Sequence, residues 1–297
     1  MIPKAYADVT IIMNIWKGDN PRYFDDSILS ITKQTLLPKV LLIVSDGPLL
    51  SSHLEIIERY DNLFSWISFV ETKLHQGISA AKNIALSLVS TKYVAIHDAD
   101  DIMHPERVAI QFEYMKKSDV DISGTAMIEF NSENNSILGL RNFGPGKIHI
   151  GNFVNNKLNN PTIMAKYEVF RKVGNYTDLY CMEDYFFLIK ALKVQLKIYN
   201  IESPLTGFRI TKDFYRRRRG RKFITAEFKI FKERTAFGLP LTKEILILIA
   251  RLAFRVFPPI ALRGLYSIYR WKSPYSMTEN NLDEWVKYEF KSDVADN

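Results

Sequence analysis

Tyr93-Val94-Ala95-Ile96-His97-Asp98-Ala99-Asp100-Asp101 joins a short apolar run directly to three carboxylates in four residues. The run has the length and composition of a buried strand, so the acids fall at a strand end. Neighbouring carboxylates repel one another unless a cation or hydrogen-bond donors neutralise them. Hard oxygen ligands in an incomplete cage suit Mg2+ or Mn2+, with phosphate oxygens and water taking the remaining positions. An acidic turn that caps the following helix is the plainer alternative.

Upstream, strand and helix signals alternate. Val9–Asn14 reads as a buried strand, and Asp25 or Asp26 is placed to cap a helix over Ser27–Gln34. Pro38 ends that run, Val40–Val44 forms the next strand, and Ser45-Asp46-Gly47-Pro48 turns the chain. A helix over Leu54–Tyr60, a strand over Trp66–Val70 and a helix over Ser79–Val89 lead back to Tyr93. This alternation predicts an α/β fold of βαβ units with a mainly parallel sheet covered on both faces. Ligands of such sheets sit beyond the carboxyl ends of the strands, where Asn14, Asp46 and Asp98 all fall. Downstream, Asp121–Phe130 reads as a strand, 131–160 as loops with short strands, and Glu183–Leu192 as a helix. From Phe208 onward the pattern is basic and helical.

Composition narrows the setting. The chain has 297 residues and a net charge of +7, and between Leu205 and Lys272 it carries 17 Lys/Arg against 4 Asp/Glu. An anionic partner is therefore expected there. The single cysteine, Cys181, fits a reducing compartment. No leader pattern precedes Val9, and no apolar run reaches the roughly 18–20 residues that span a bilayer. These features predict a cytoplasmic location.

Three further groups carry chemistry. Asp46 can accept the N3–H of uracil, although an Asp before Gly47 is also an ordinary turn. His75-Gln76-Gly77-Ile78-Ser79-Ala80-Ala81-Lys82-Asn83 sets Gly77 and small residues at a helix start, where backbone N–H groups and Lys82 can approach a diphosphate. It is neither a dinucleotide fingerprint nor a Walker loop. Glu183-Asp184 opens a helix; the pair suits the helix dipole, or supplies a general base toward an acceptor hydroxyl.

Taken in order, these stretches resemble the bacterial family 2 glycosyltransferases, inverting enzymes of GT-A fold, particularly those that assemble O-antigen, capsule and other exopolysaccharides. The likeness runs over about residues 8–272 and includes His104-Pro105-Glu106-Arg107, Asn160-Pro161-Thr162 and Val173-Gly174-Asn175-Tyr176. It implies a nucleotide site of Asn14, Asp46, Gly77, Lys82, Asp98 and Asp100, with Asp46 on uracil and Lys82 near the nucleotide. Asp98 would contact ribose or the metal, Asp100 would ligate Mn2+ or Mg2+, Asp184 would act as base, and Glu183 would help shape the acceptor site. Arg209, Arg217, Arg218 and Glu227 match a downstream pattern, and the three arginines are candidates for acceptor or phosphate contacts. Lys82 stands where the family usually has Arg, Ser45 where a second Asp is frequent, and Asn160 where His is common.

The implied reaction is transfer of a hexose (galactose, glucose or an N-acetyl derivative) from a UDP-sugar to a hydroxyl, forming a β-linkage. The expected acceptor is an undecaprenyl-diphosphate-linked saccharide. Residues 1–204 would form the catalytic domain, divided into a nucleotide-binding half (about 1–125) and an acceptor-binding half (about 126–204). Residues 205–297 would form a basic helical extension with an acidic tail. In that extension Arg216–Arg219 precede apolar runs broken by Arg251, Arg255, Arg263 and Arg270, a pattern that suits helices lying on the inner face of an anionic membrane. Packing on the catalytic domain would use the same pattern. A nucleic-acid-binding protein would explain the arginines, but no reader motif is present and no nucleic-acid partner is expected. A sugar-nucleotide nucleotidyltransferase would need a Gly-rich, Arg-containing loop where Asn14-Ile15-Trp16-Lys17-Gly18-Asp19 stands.

Overall fold

The computed structural model describes residues 5–149, 156–212, 214, 221–256 and 282–287. Four parallel strands build the N-terminal half: β1 (Tyr6–Ile15), β2 (Leu37–Ser45), β3 (Ile67–Val70) and β4 (Tyr93–Asp98). Their order is β3-β2-β1-β4: the first two crossovers join neighbouring strands, and the third passes back over β2 and β1 to set β4 beside β1. The register sets Asn14 level with Val44 on one side and Asp98 on the other, which brings the polar strand ends to one edge.

Apolar residues fill both faces, as a doubly covered sheet requires. Ile11, Met13, Leu41 and Ile43 pack toward α1 (Pro21–Thr32), α2 (Ser51–Leu63) and α4 (Arg107–Lys117). Ile12, Val44, Val94 and Ile96 pack toward α3 (Ile78–Ser87), α5 (Tyr167–Val173) and α6 (Glu183–Lys193).

The second half makes the sheet mixed. β9 (Met164–Lys166) runs antiparallel to β4 and to β6 (Ile122–Asn131), and so joins the two halves. β10 (Ile198–Ile210) lies parallel to β6. Three short antiparallel strands complete the ten: β5 (Ile102–Met103), β7 (Ile137–Arg141) and β8 (Gly146–Lys147).

Several expectations change. The first helix begins at Pro21, six residues early, because Asn20 accepts the Arg22 N–H as its cap and proline suits the opening turn. Asp25 and Asp26 instead pair with Arg59 and Arg209. Pro38 lies inside β2 beside Ala7, where the register shifts.

The expected boundary at 204 cuts β10, which continues through Phe208 to Ile210 as strand rather than helix. Described residues after β10 pack on the sheet, as the second reading of the C-terminal pattern expects. Phe223, Ala226 and Ile230 of α7 (Arg221–Thr235) join the core with β4 and α6. Trp285 of α9 (Leu282–Lys287) is fully buried and donates its indole N–H to the Pro204 carbonyl at 3.0 Å. Between them lies α8 (Leu241–Val256), and no helix among the described residues is long and apolar enough to cross a membrane. Arg216–Arg219, Arg263, Arg270 and residues 288–297 lie outside the described residues.

Candidate active site

Asp98 ends β4 and is half-buried; the Ser27 hydroxyl fixes the turn by donating to its carbonyl. Burial pushes its carboxyl up to about 6, with Lys82 opposing and the charges of Asp100 and Glu183 adding. Asp100 is also half-buried. Asp101 differs from both: it is fully buried and accepts the Arg209 backbone N–H, and burial holds its carboxyl well above the usual range.

Arg209 therefore clamps the acidic turn from below. Its Nε donates to the Asp100 carbonyl at 2.7 Å, its Nη2 reaches Asp26, and its guanidinium lies 4.1 Å from the Tyr23 ring centroid. The side chain expected near acceptor or phosphate is thus committed to the turn. Arg217 and Arg218, its sequence companions, lie outside the described residues.

Asp46 follows β2 and binds the chain's own backbone. Its Oδ1 accepts the Gln76 N–H at 2.7 Å, and both carboxylate oxygens lie within reach of the Gly77 N–H. Gly77 holds φ +94°, a left-handed conformation that favours glycine and turns its N–H toward Asp46 rather than toward an open phosphate position. His75 Nδ1 sits 2.9 Å from the same carboxylate, and its ring stacks on Trp16 at 5.6 Å. Trp16 and His75 form an exposed aromatic face beside Asp46 that sequence reasoning missed, although Trp16 follows the β1 end directly. Asn14 lies at that end with a buried side-chain nitrogen that has no partner among the described residues.

Lys82 is the main departure. It is fully buried on α3 and its Nζ lies 2.9 Å from Glu183 Oε1 on α6, itself buried. Burial opposes its charge, but Glu183, Tyr176 and Asp98 more than offset this and keep it protonated. The ammonium also lies 4.9 Å from the Tyr176 ring centroid. Lys82 thus joins α3 to α6 instead of presenting a free cation to a diphosphate.

Asp184, next along α6, is half-buried and oriented from two sides. Its Oδ2 accepts from Asn156 Nδ2 at 2.8 Å and its Oδ1 from the Tyr185 N–H at 2.7 Å. Burial pushes its carboxyl up to about 6, Glu183 adding and Lys82 opposing. Nothing in the sequence marked Asn156, because its partner is 28 residues away. Asp98, Lys82, Glu183 and Asp184 form one electrostatic group at the strand-end edge.

Among the described residues no three His, Cys, Asp or Glu converge on one point. Asp98 and Asp100 still fit a hard divalent ion that completes its shell with phosphate and water. Burial and the charges of Asp100 and Glu183 raise the Asp98 carboxyl to about 6 against the opposing Lys82, and a bound cation would lower it again.

Comparisons with known proteins bear on the family and the fold. The family model described as glycosyl transferase family 2 matches residues 10–177. An amylovoran biosynthesis glycosyltransferase of Erwinia amylovora is 25% identical over 259 residues, covering 86% of this chain and 97% of that protein. The Escherichia coli UDP-Gal:alpha-D-GlcNAc-diphosphoundecaprenol beta-1,3-galactosyltransferase is 28% identical over 223 residues, covering 74% and 80%. Residues 1–349 of S. aureus TarS, solved with UDP-GlcNAc, superpose with a TM-score of 0.63 at 16% identity, covering 83% of this chain and 72% of that one. The chain spans 42% of the longer TarS structure. The family match over more than half of the chain, the GT-A-like neighbour and the acidic turn at the end of β4 lead to one conclusion: the chain belongs to glycosyl transferase family 2 and has the GT-A fold.

Proposed function

We propose that this enzyme transfers a hexose, with inversion, from a UDP-sugar to a hydroxyl of an undecaprenyl-diphosphate-linked saccharide in bacterial surface polysaccharide synthesis. The donor class is supported by the UDP-Gal named for the E. coli relative and the UDP-GlcNAc complex of TarS; the acceptor class is supported by the same E. coli relative. The observation that carries the reading is Asp184, a carboxylate oriented by Asn156 and the Tyr185 N–H and held near neutrality beside the strand ends. A base tuned toward the working pH is suited to taking a hydroxyl proton.

Asp184 removes the acceptor proton as that oxygen attacks the anomeric carbon from the face opposite the leaving diphosphate. One displacement inverts the configuration, so an α-linked donor gives a β-linkage. Asp98 and Asp100 would hold Mn2+ or Mg2+, which supplies charge stabilisation to the departing UDP. Asn14, Asp46 and the Trp16–His75 face form the nucleoside end of the site, with Asp46 reaching uracil once the 75–77 loop yields its N–H bonds. Lys82 neutralises Glu183 and so leaves Asp184 free to accept a proton. The enzyme works at the inner face of the cytoplasmic membrane, where its lipid-linked acceptor resides.

A panel of UDP-sugars, scored by UDP release with an undecaprenyl-diphosphate saccharide, tests the reading. One UDP-sugar is expected to be preferred, with turnover lost in EDTA and restored by Mn2+ or Mg2+. Full turnover in excess EDTA, or equal binding of GDP and UDP by calorimetry, would overturn the metal or the uridine assignment respectively.

A further inference from the structure

α8 is turned inside out. Its buried side carries charge: Glu244 is 1% exposed and Arg251 8%. Glu244 pairs with Arg234 through two bonds of 2.6 and 2.8 Å, and Arg251 pairs with Glu227 at 2.5 Å, both partners lying on α7. Arg234 also donates to the Tyr185 hydroxyl at 3.0 Å, which ties the pair to the helix that bears Asp184. Among the described side chains of α8, Ile247 alone adds a buried apolar group to this face.

The outer side carries the apolar residues. Leu241, Ile245, Leu246 and Ile249 are 57%, 41%, 67% and 57% exposed, and Ala250 and Ala253 are exposed beside them. The spacing 242, 245, 246, 249, 253 is one helical face, and Thr242 is its single polar member. No carboxylate lies on it, because the one acid of α8 is the buried Glu244. α7, packed against α8, turns Arg221, Lys222, Lys229 and Lys232 outward around an exposed Phe228, and Lys243 is exposed at the start of α8.

We infer that the outer face of α8 lies in the headgroup–acyl boundary of an anionic lipid surface, with the cations of α7 against the lipid phosphates. Apolar residues on one helix and Lys/Arg on its neighbour complement an anionic bilayer in both its terms, and the one partly exposed acid of α7, Glu233, is paired with Lys193. At 16 residues the helix is about 24 Å long by its rise per residue, enough to lie in the interface but not to span it. The two buried ion pairs set the rotation of α8, so the apolar face is fixed relative to α6 and the acceptor side of the site. The inference rests on the reading of a lipid-linked acceptor, but its test is independent of turnover.

The test uses the full chain and two sets of vesicles, pure phosphatidylcholine and phosphatidylcholine with 30% phosphatidylglycerol. The wild type is expected to float with the anionic set, and Leu246→Glu/Ile249→Glu to lose at least about tenfold in partition while keeping its melting temperature and UDP affinity. In a second measurement, Cys181→Ser removes the native thiol and Leu246→Cys takes an environment-sensitive fluorophore. Its emission is expected to shift blue with anionic vesicles, while the same label at exposed Glu58 on α2 does not move. A wild type that stays in solution, a double variant that floats equally, or an unmoved label at 246 each overturns the inference. A wild-type dimer that the double variant converts to monomer would also overturn it, and assign the face to a second copy.

Discussion

At the scale of single residues, Asp184 and Lys82 make opposite demands on their surroundings. A carboxyl raised above its unfolded value binds its proton more tightly in the native state. Stability is therefore greatest below about pH 4 for this group and falls as pH rises toward about 6, where the native group ionises. Asp184→Asn removes that cost, so its melting temperature at pH 7.5 is expected not to fall, whereas turnover drops about 10²–10⁴-fold. The kcat/KM of the wild type is expected to decline below about pH 6, an apparent value shared with Asp98, and the variant is expected to keep only the shallower part of that decline that Asp98 causes. A variant within threefold of wild-type turnover would remove Asp184 as the base. Lys82→Met tests the other residue. It strands Glu183 as a buried charge, at a cost of about 3–5 kcal/mol in denaturant titration. Adding Glu183→Gln should recover most of that loss, since the charge that needed Lys82 is gone. A free phosphate-binding lysine would instead lose UDP affinity with stability intact.

At the scale of elements, ion pairs decide how the C-terminal helices sit. Arg234 and Glu244 are both 1% exposed and joined by two hydrogen bonds, so Arg234→Met alone is expected to destabilise by about 3–5 kcal/mol. The double variant Arg234→Met/Glu244→Leu should lie within about 1–2 kcal/mol of wild type, because apolar side chains of similar volume can replace a buried pair. A fully additive double variant in urea titration would show that the pair does not couple α7 to α8. The acidic turn has a comparable clamp in Arg209, which holds it through a backbone N–H and a guanidinium rather than through charge alone.

At the scale of the whole molecule, the described C-terminal helices share buried clusters with the sheet. Trp285 fills a pocket against Phe130, Leu205 and Gly207, and His104 donates to its carbonyl at 3.1 Å. Trp285→Ala is expected to cost about 3–5 kcal/mol, read as a fall in melting temperature. A chain ended at Pro204 would lose half of β10 and all of α7, and is expected to show no cooperative melting. Retained cooperative unfolding there would restore the boundary read from the sequence.

The sequence alone determined the α/β order, the strand ends at Asn14, Asp46 and Asp98, and the helix that begins at Glu183, because these depend on local periodicity. β-Branched runs, small residues and acids after a strand act within a few residues of themselves. Tertiary structure alone decided which charges meet. Lys82 and Glu183 are 101 residues apart, Asp101 and the Arg209 N–H are 108 apart, and no pattern in the chain couples them. The same holds for α8, whose amphipathic spacing was legible but whose direction was not. A helix with one apolar and one charged stripe can bury either, and α7 supplies the opposite charges that make burying the charged stripe favourable.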